Sequence, residues 1–208
     1  MDFQYFGANC VRITGKKANI IIDDNLVRNG LKSATQKDDI AFFTELGHEE
    51  TTGRFTIDSP GEYEISEVSV RGIAAQRHTD TEGNAVTMFS IQTGELNIGV
   101  VGHISGKLSD EQLEKLGIVD VLIVPVGGMG YTLDAVAAVK LVKDIEPKVV
   151  IPTHYADSKV SYEVPQAELS VFLNEIGAND VQPVPVLKLK KGDLADKTTV
   201  VVLERTSK

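Results

Sequence analysis

Residues 117–155 read GIVDVLIVPVGGMGYTLDAVAAVKLVKDIEPKVVIPTHY. Residues 121–126 are a short apolar run closed by Gly127-Gly128, the pattern of a strand buried on both faces. Thr132 can cap a following helix through its hydroxyl. Lys140, Lys143 and Asp144 share one face at i, i+3, i+4 spacing, which leaves the other faces for burial. Pro147 stops the helix because its ring cannot continue it, and 149–152 open a second apolar strand. Strand, crossover helix and strand make a βαβ unit with a parallel pair. Ligands of such sheets gather beyond the carboxyl ends of the strands. Gly127-Gly128 and His154 both fall there.

Working outward, residues 3–14 read as a strand interrupted at Gly7-Ala8, and 18–22 as a strand ending in Asp23-Asp24. Residues 25–33 suit a loop or one weak helical turn, and 39–44 (DIAFFT) a third strand. A short strand follows at 55–57, then a hairpin over 63–73 and another formed by 85–92 and 96–101 around Gly94-Glu95. The run Ser109-Asp110-Glu111-Gln112 is a capping box, and its helix ends at Gly117. Pro165 suits the first position of a last helix, whose stripe is Leu169, Phe172, Leu173 and Ile176. Residues 184–189 and 198–203 read as closing strands. The two halves resemble each other, which predicts an α/β sandwich of two sheets with helices outside, one domain over 1–208.

Several stretches together resemble the metallo-β-lactamase fold superfamily, in its branch of small zinc-dependent hydrolases related to sugar-lactone hydrolases. They are Pro125-Val126-Gly127-Gly128, Ile151-Pro152-Thr153-His154-Tyr155, Asp58-Ser59-Pro60-Gly61-Glu62-Tyr63-Glu64, Val70-Arg71-Gly72-Ile73 and residues 108–116 (LSDEQLEKL). The resemblance implies a four-layer αββα fold with two mixed sheets. It also implies an active site of imidazoles and carboxylates around one or two metal ions, where a bound water ionises near neutral pH.

The family's first metal motif, H-x-H-x-D-H, is degenerate here. Residues 44–50 read TELGHEE, so Glu45, Gly47, Glu49 and Glu50 stand where His, His, Asp and His would be, and His48 is displaced by one position. By the same resemblance His78 and His103 fall at or beside later ligand positions, and His154 closes the retained I-P-x-H-Y. All four histidines of the chain are thereby accounted for. The implied metal set is His48, His78, His103 and His154 with Glu45 and Glu50. The ion would be zinc, with iron or manganese as alternatives, since this donor set accepts all three. Glu49 is the candidate general base and Tyr155 the candidate oxyanion or orienting group. Two readings follow: a hydrolase of a small ester, lactone or phosphoester with a remodelled metal site, or a non-catalytic member without metal, acting as a binding or assembly module.

Other features have plainer readings. Gly127 to Gly130 suits a tight turn more than an anion cradle, because the Lys and Ser/Thr of a P-loop are missing. Cys10 suits a buried strand position more than a nucleophile paired with His103 or His78. Asp80 and Glu82 suit a solvated loop, and Arg71 a pairing with Glu62. Lys188, Lys190 and Lys191 suit a solvated strand edge.

The bulk numbers bound the function. The formal charge of −9 argues against general nucleic-acid binding, which needs Lys and Arg clusters on phosphate. No apolar run approaches the ~20 residues that span a bilayer. The start MDFQYFGANC lacks a basic n-region and an apolar h-region, and one cysteine permits no internal disulfide. These features predict a cytoplasmic protein whose partner is a small-molecule substrate, with a homo-oligomer left open.

Overall fold

The computed structural model describes residues 1–48, 51–78 and 85–206. Two mixed sheets face each other. The first runs in the order β12-β1-β2-β3-β4-β5 and the second β13-β11-β10-β9-β8-β7-β6. The first sheet comprises β1 (Asp2–Gly7), β2 (Cys10–Thr14), β3 (Asn19–Ile22), β4 (Asp39–Phe42), β5 (Phe55–Ile57) and β12 (Leu187–Lys188). The second comprises β6 (Gly61–Ile65), β7 (Val68–Gln76), β8 (Ala85–Gln92), β9 (Asn97–Val100), β10 (Val121–Pro125), β11 (Val149–Thr153) and β13 (Thr199–Val200).

The organising unit forms as its periodicity predicts. β10 pairs in parallel with β11, Val121 beside Val149, across helix α2 (Ala135–Ile145). Alternation of side chains along each strand splits the core in two. Ile20, Ile22, Ile40 and Phe42 meet Phe89, Ile98, Val100, Ile123 and Ile151 between the sheets. On the outer face of the second sheet, Met88, Leu122, Val124 and Val150 pack with Leu116, Ala138, Leu141 and Phe172. The last four belong to α1 (Asp110–Leu116), α2 and α3 (Leu169–Ile176).

The outer layers differ. Among the described residues, all three helices pack on the second sheet. The outer face of the first carries Phe6, Cys10, Ile21, Ala41 and Phe43, covered by Leu26 and Ala34 from a segment with turns and no helix. Asp24 holds that segment in place: its Oδ2 accepts from Ser33 Oγ, Ala34 N, Thr35 N and Thr35 Oγ1 at 2.5–2.9 Å. A single buried carboxylate taking several donors replaces the backbone ladder of a helix. Arg12 adds a bidentate pair to Asp39 (2.6 and 3.2 Å) and a bond to Ala34 O at 2.6 Å.

Some local readings shift. The cap of α2 is Asp134, whose side chain accepts from Ala137 N, while Thr132 Oγ1 accepts from Gly128 N at 2.8 Å. α2 ends at Ile145, and its C-cap Glu146, in the left-handed region, directly precedes Pro147. α3 starts at Leu169 rather than Pro165, because Ala167 N is drawn to Gly127 O at 2.7 Å. The capping box of α1 forms as read, Ser109 and Gln112 satisfying each other's backbone N–H. Arg71 pairs with Glu62 at 3.2 Å. The predicted closing strands shrink to Leu187–Lys188 and Thr199–Val200. No helix of the described residues is long and apolar enough to cross a membrane.

Candidate functional site

The carboxyl ends of strands from both sheets open on one cleft of about 300 Å³. β3 delivers Asp23, β4 delivers Thr44 and Glu45, β9 delivers His103 and β11 delivers His154. The turn between β1 and β2 adds Asn9, the loop after β10 adds Tyr131, and the loop before α3 adds Tyr162 and Gln166. Two glycines permit this closeness. Gly102 has φ +59, and a Cβ there would collide with the Thr44 side chain. A Cβ on Gly127 would collide with the His154 carbonyl and the Gln166 amide. His154 itself has φ +52, held by its N–H to Ala8 O at 2.8 Å.

Glu45 Oε1 stands 2.9 Å from His103 Nδ1 and 3.0 Å from Arg77 Nη2, at ion-pair distance but out of line for a hydrogen bond. On the other side of the same ring, Nε2 lies 3.2 Å from Asn9 Nδ2, and Asn9 Oδ1 accepts from Thr153 Oγ1 at 2.9 Å. With Asn9 oriented so, Nε2 of His103 is the acceptor and the imidazole proton sits on Nδ1, facing Glu45. Burial would raise the Glu45 carboxyl, but His103 and then Arg77 overcome it and hold it below its ordinary value.

His154 is 4% exposed. Its Nδ1 lies 3.1 Å from Gln166 Oε1 and donates to it, so Nε2 keeps its lone pair. Burial, then the nearby His103, push its pKa down to about 3, so the ring is neutral. The ring lies at 4.7 Å and nearly perpendicular to His103, and against Tyr131 (5.6 Å) and Tyr162 (4.8 Å). Burial raises the Tyr131 hydroxyl, with Glu45 adding to it. Asp23 is buried and raised to about 6 by desolvation, although both oxygens accept from Thr44, N–H and hydroxyl, at 2.7 Å.

The sequence-derived candidates separate accordingly. Glu45, His103 and His154 come together. His48 turns away to stack on Phe43 at 4.0 Å and pair with Asp58 at 3.1 Å. His78 reaches the site through its backbone N–H, which donates to His103 O at 2.9 Å. Tyr155 does not line the cleft: its ring packs on Tyr5 at 5.7 Å, and burial raises its hydroxyl to about 12. Glu49, Glu50, Asp80 and Glu82 lie outside the described residues. Cys10 is fully buried on the outer face of the first sheet. Asn9, Arg77, Tyr162 and Gln166 were not signalled by any motif, since each enters from a turn or loop.

Among the described residues no three His, Cys, Asp or Glu side chains converge as metal donors. The reason is local. Glu45 faces a guanidinium, and His103 faces a carboxylate on one nitrogen and an amide on the other. A metal ion needs those lone pairs unengaged. The described donor set therefore does not fit a metal centre.

A family model described as "Beta-lactamase superfamily domain" matches residues 2–154 and ends on His154. The chain belongs to the β-lactamase superfamily. Solved members of related fold agree with it. A metallo-β-lactamase superfamily protein from Thermotoga maritima, named as a candidate Zn-dependent hydrolase, superposes with TM-score 0.73 at 23% identity over 97% of both chains. The metallo hydrolase Igni18 from Ignicoccus hospitalis gives 0.63 at 18% identity, covering 91% of this chain and 99% of its own. The diiron β-hydroxylase CmlA from Streptomyces venezuelae gives 0.56 at 12% identity, covering 86% of this chain and 49% of its own. At these identities the superpositions show the shared fold alone; one fold hosts many chemistries. No curated protein sequence matches the chain.

Proposed function

We propose that this superfamily member binds a small polar molecule in the cleft without a resident metal ion. The observation that carries the reading is the placement of Arg77 against Glu45, with Glu45 against His103. A fixed guanidinium supplies the positive charge that a metal would otherwise bring to the carboxylate. The cleft is concave, opens at the carboxyl ends of the strands and is lined by hydrogen-bonding side chains, the ordinary location and form of a small-molecule site. The acidic net charge is consistent with a small partner rather than nucleic acid, and a cytoplasmic setting belongs to the same proposal.

One observation favours a second reading, hydrolysis through an altered metal site. His154 is neutral, its Nδ1–H is fixed by Gln166 and its Nε2 lone pair is open, which is how a ligating imidazole is held. Elemental mass spectrometry of protein purified without a His-tag separates the two. The metal-free reading expects well under one equivalent of zinc, iron or manganese, before and after incubation with each ion. A full equivalent that disappears in His154→Ala overturns it in favour of the hydrolase.

A further inference from the structure

His154 lines the cleft, yet it is only 4% exposed. Part of the cleft wall therefore covers the ring. One cover is the chain between β11 and α3, which has no helix or strand from Ala156 to Glu168 and supplies Ser161, Tyr162, Glu163, Val164 and Gln166 to the lining. Its Tyr162 ring lies 4.8 Å from His154. The other cover, Tyr131, is less free to move. Its loop is braced where Gly128 N–H meets Thr132 Oγ1 at 2.8 Å and Tyr131 N–H meets Gly128 O at 3.1 Å.

The ends of the covering segment are joined. Ala156 N–H donates to Ala167 O at 2.9 Å, and Ala167 N–H donates to Gly127 O at 2.7 Å. A loop of this size with joined ends is an Ω-loop, and it can swing while its base stays paired. Next to the base, Arg205 Nε donates to Asp157 Oδ2 at 2.6 Å, with side chains 22% and 16% exposed. Arg205 is itself held beside β1, where it bridges Tyr5 and Thr206 N–H donates to Tyr5 O at 2.7 Å.

The tip docks on the turns opposite. Ser161 N–H donates to Asn29 O at 2.9 Å. A Cβ on Gly30 would stand 3.6 Å from Ser161 Cβ, and one on Gly7 would stand 3.4 Å from Val160 Cγ2, so the tip rests on bare glycine backbone. Tyr162 Oη donates to Tyr155 O at 2.9 Å. These are single bonds to turns and loop ends, whereas β10 and β11 behind them share a continuous ladder. That contrast is the pattern of a segment that opens locally while its sheet stays closed. We propose that residues 157–165 are a lid that swings about the Ala156–Ala167 base and gates access to His154, with Arg205 on Asp157 as its latch.

The lid is tested in the full chain by the rate at which diethyl pyrocarbonate modifies His154, read by peptide mass spectrometry. The double variant Gly30→Cys/Ser161→Cys sets two cysteines at a Cβ separation that a disulfide spans. Oxidised, it pins the tip; reduced, it frees it. His154 should react about tenfold or more slowly in the oxidised form than in the reduced form, because modification follows the open population. His48, outside the lid, should react equally in both. In the native chain, Arg205→Met should speed the modification of His154 by about tenfold, the effect of losing one hydrogen bond between charged groups, with amide hydrogen exchange of β10 and β11 unchanged. Equal His154 rates in the oxidised and reduced forms overturn the lid. So does a pair of cysteines that will not join, since the tip would then not rest on Gly30. An unchanged rate in Arg205→Met overturns the latch, as does faster exchange throughout β10 and β11, which would mean general loosening. These outcomes do not depend on what the cleft binds, so the small-molecule reading stands or falls separately.

Discussion

His103 and Glu45 come from opposite sheets, and Nδ1 of the one stands 2.9 Å from Oε1 of the other. The contact ties the end of β9 to the end of β4, and Arg77, following β7, makes it a three-group cluster. Removing Arg77 leaves the carboxylate with one partner in a largely dry place. Arg77→Met should cost about 1–2 kcal/mol, below the ~3–5 kcal/mol of a fully buried pair because the Arg77 side chain is 31% exposed. A urea double-mutant cycle with Glu45→Gln should give a coupling of about 0.5–2 kcal/mol. Strict additivity would show that the three groups do not act together.

Asp23 and His154 pull the pH dependence of stability in opposite directions. The folded pKa of Asp23 is raised from 3.8 to about 6, so the folded state holds more protons than the unfolded state across that window. Stability from this group is therefore lost as pH rises. The folded pKa of His154 is lowered from 6.5 to about 3, so the unfolded state holds more protons there and stability is lost as pH falls. Each slope is at most ~1.4 kcal/mol per pH unit, and they offset each other between about pH 4 and 6. Asp23→Asn removes one side of the balance. Its stability should drop more steeply than that of the wild type on acidification from pH 6 to 4, measured by urea unfolding; a parallel drop would refute the assignment.

Gly102 and Gly177 have similar backbone conformations, φ +59 and +75, but different surroundings. A Cβ on Gly102 meets the Thr44 side chain, while a Cβ on Gly177 meets nothing within 4 Å. Gly177→Ala should cost about 1 kcal/mol, the left-handed penalty alone. Gly102→Ala should cost more than about 2 kcal/mol, since Thr44 must also leave Asp23. Equal melting shifts for the two variants would contradict the packing around Thr44.

Arg12 and Asp39 are a dry pair, with side chains 6% and 0% exposed. Arg12→Met strands a buried carboxylate, although Gln36 N still donates to it at 2.7 Å. The expected loss is about 3–5 kcal/mol in chemical denaturation. A loss under ~1 kcal/mol would mean that water reaches Asp39 and the segment over the first sheet is loosely held.

Much of this was legible in the chain itself. The apolar runs at 121–126 and 149–152 with a helix between them sufficed for the parallel βαβ unit. The capping box at Ser109 and the helix stop at Gly117 were local hydrogen-bonding facts that tertiary context left alone. The sandwich of two mixed sheets was legible as well; what the chain did not signal is how the segment over the first sheet is ordered, because residues 25–33 carry no apolar period and Asp24 holds that segment by collecting N–H and O–H groups. The helix starts at Thr132 and Pro165 moved inward because a tertiary partner took Ala167 N and a turn took the Thr132 hydroxyl.

The site divides along the same line. Sequence alone determined that two histidines, His103 and His154, and a carboxylate, Glu45, stand at the carboxyl ends of strands, since strand period and length fix where a strand stops. Its residues 44–50, TELGHEE, also raised the expectation of a degenerate first metal motif. The tertiary structure decided which side chains meet. Arg77 on Glu45, Asn9 on His103 and Gln166 on His154 each join residues from separate elements. Such contacts depend on sheet register, on two glycines that let backbones approach, and on loop paths. None of these leaves a local period in the sequence.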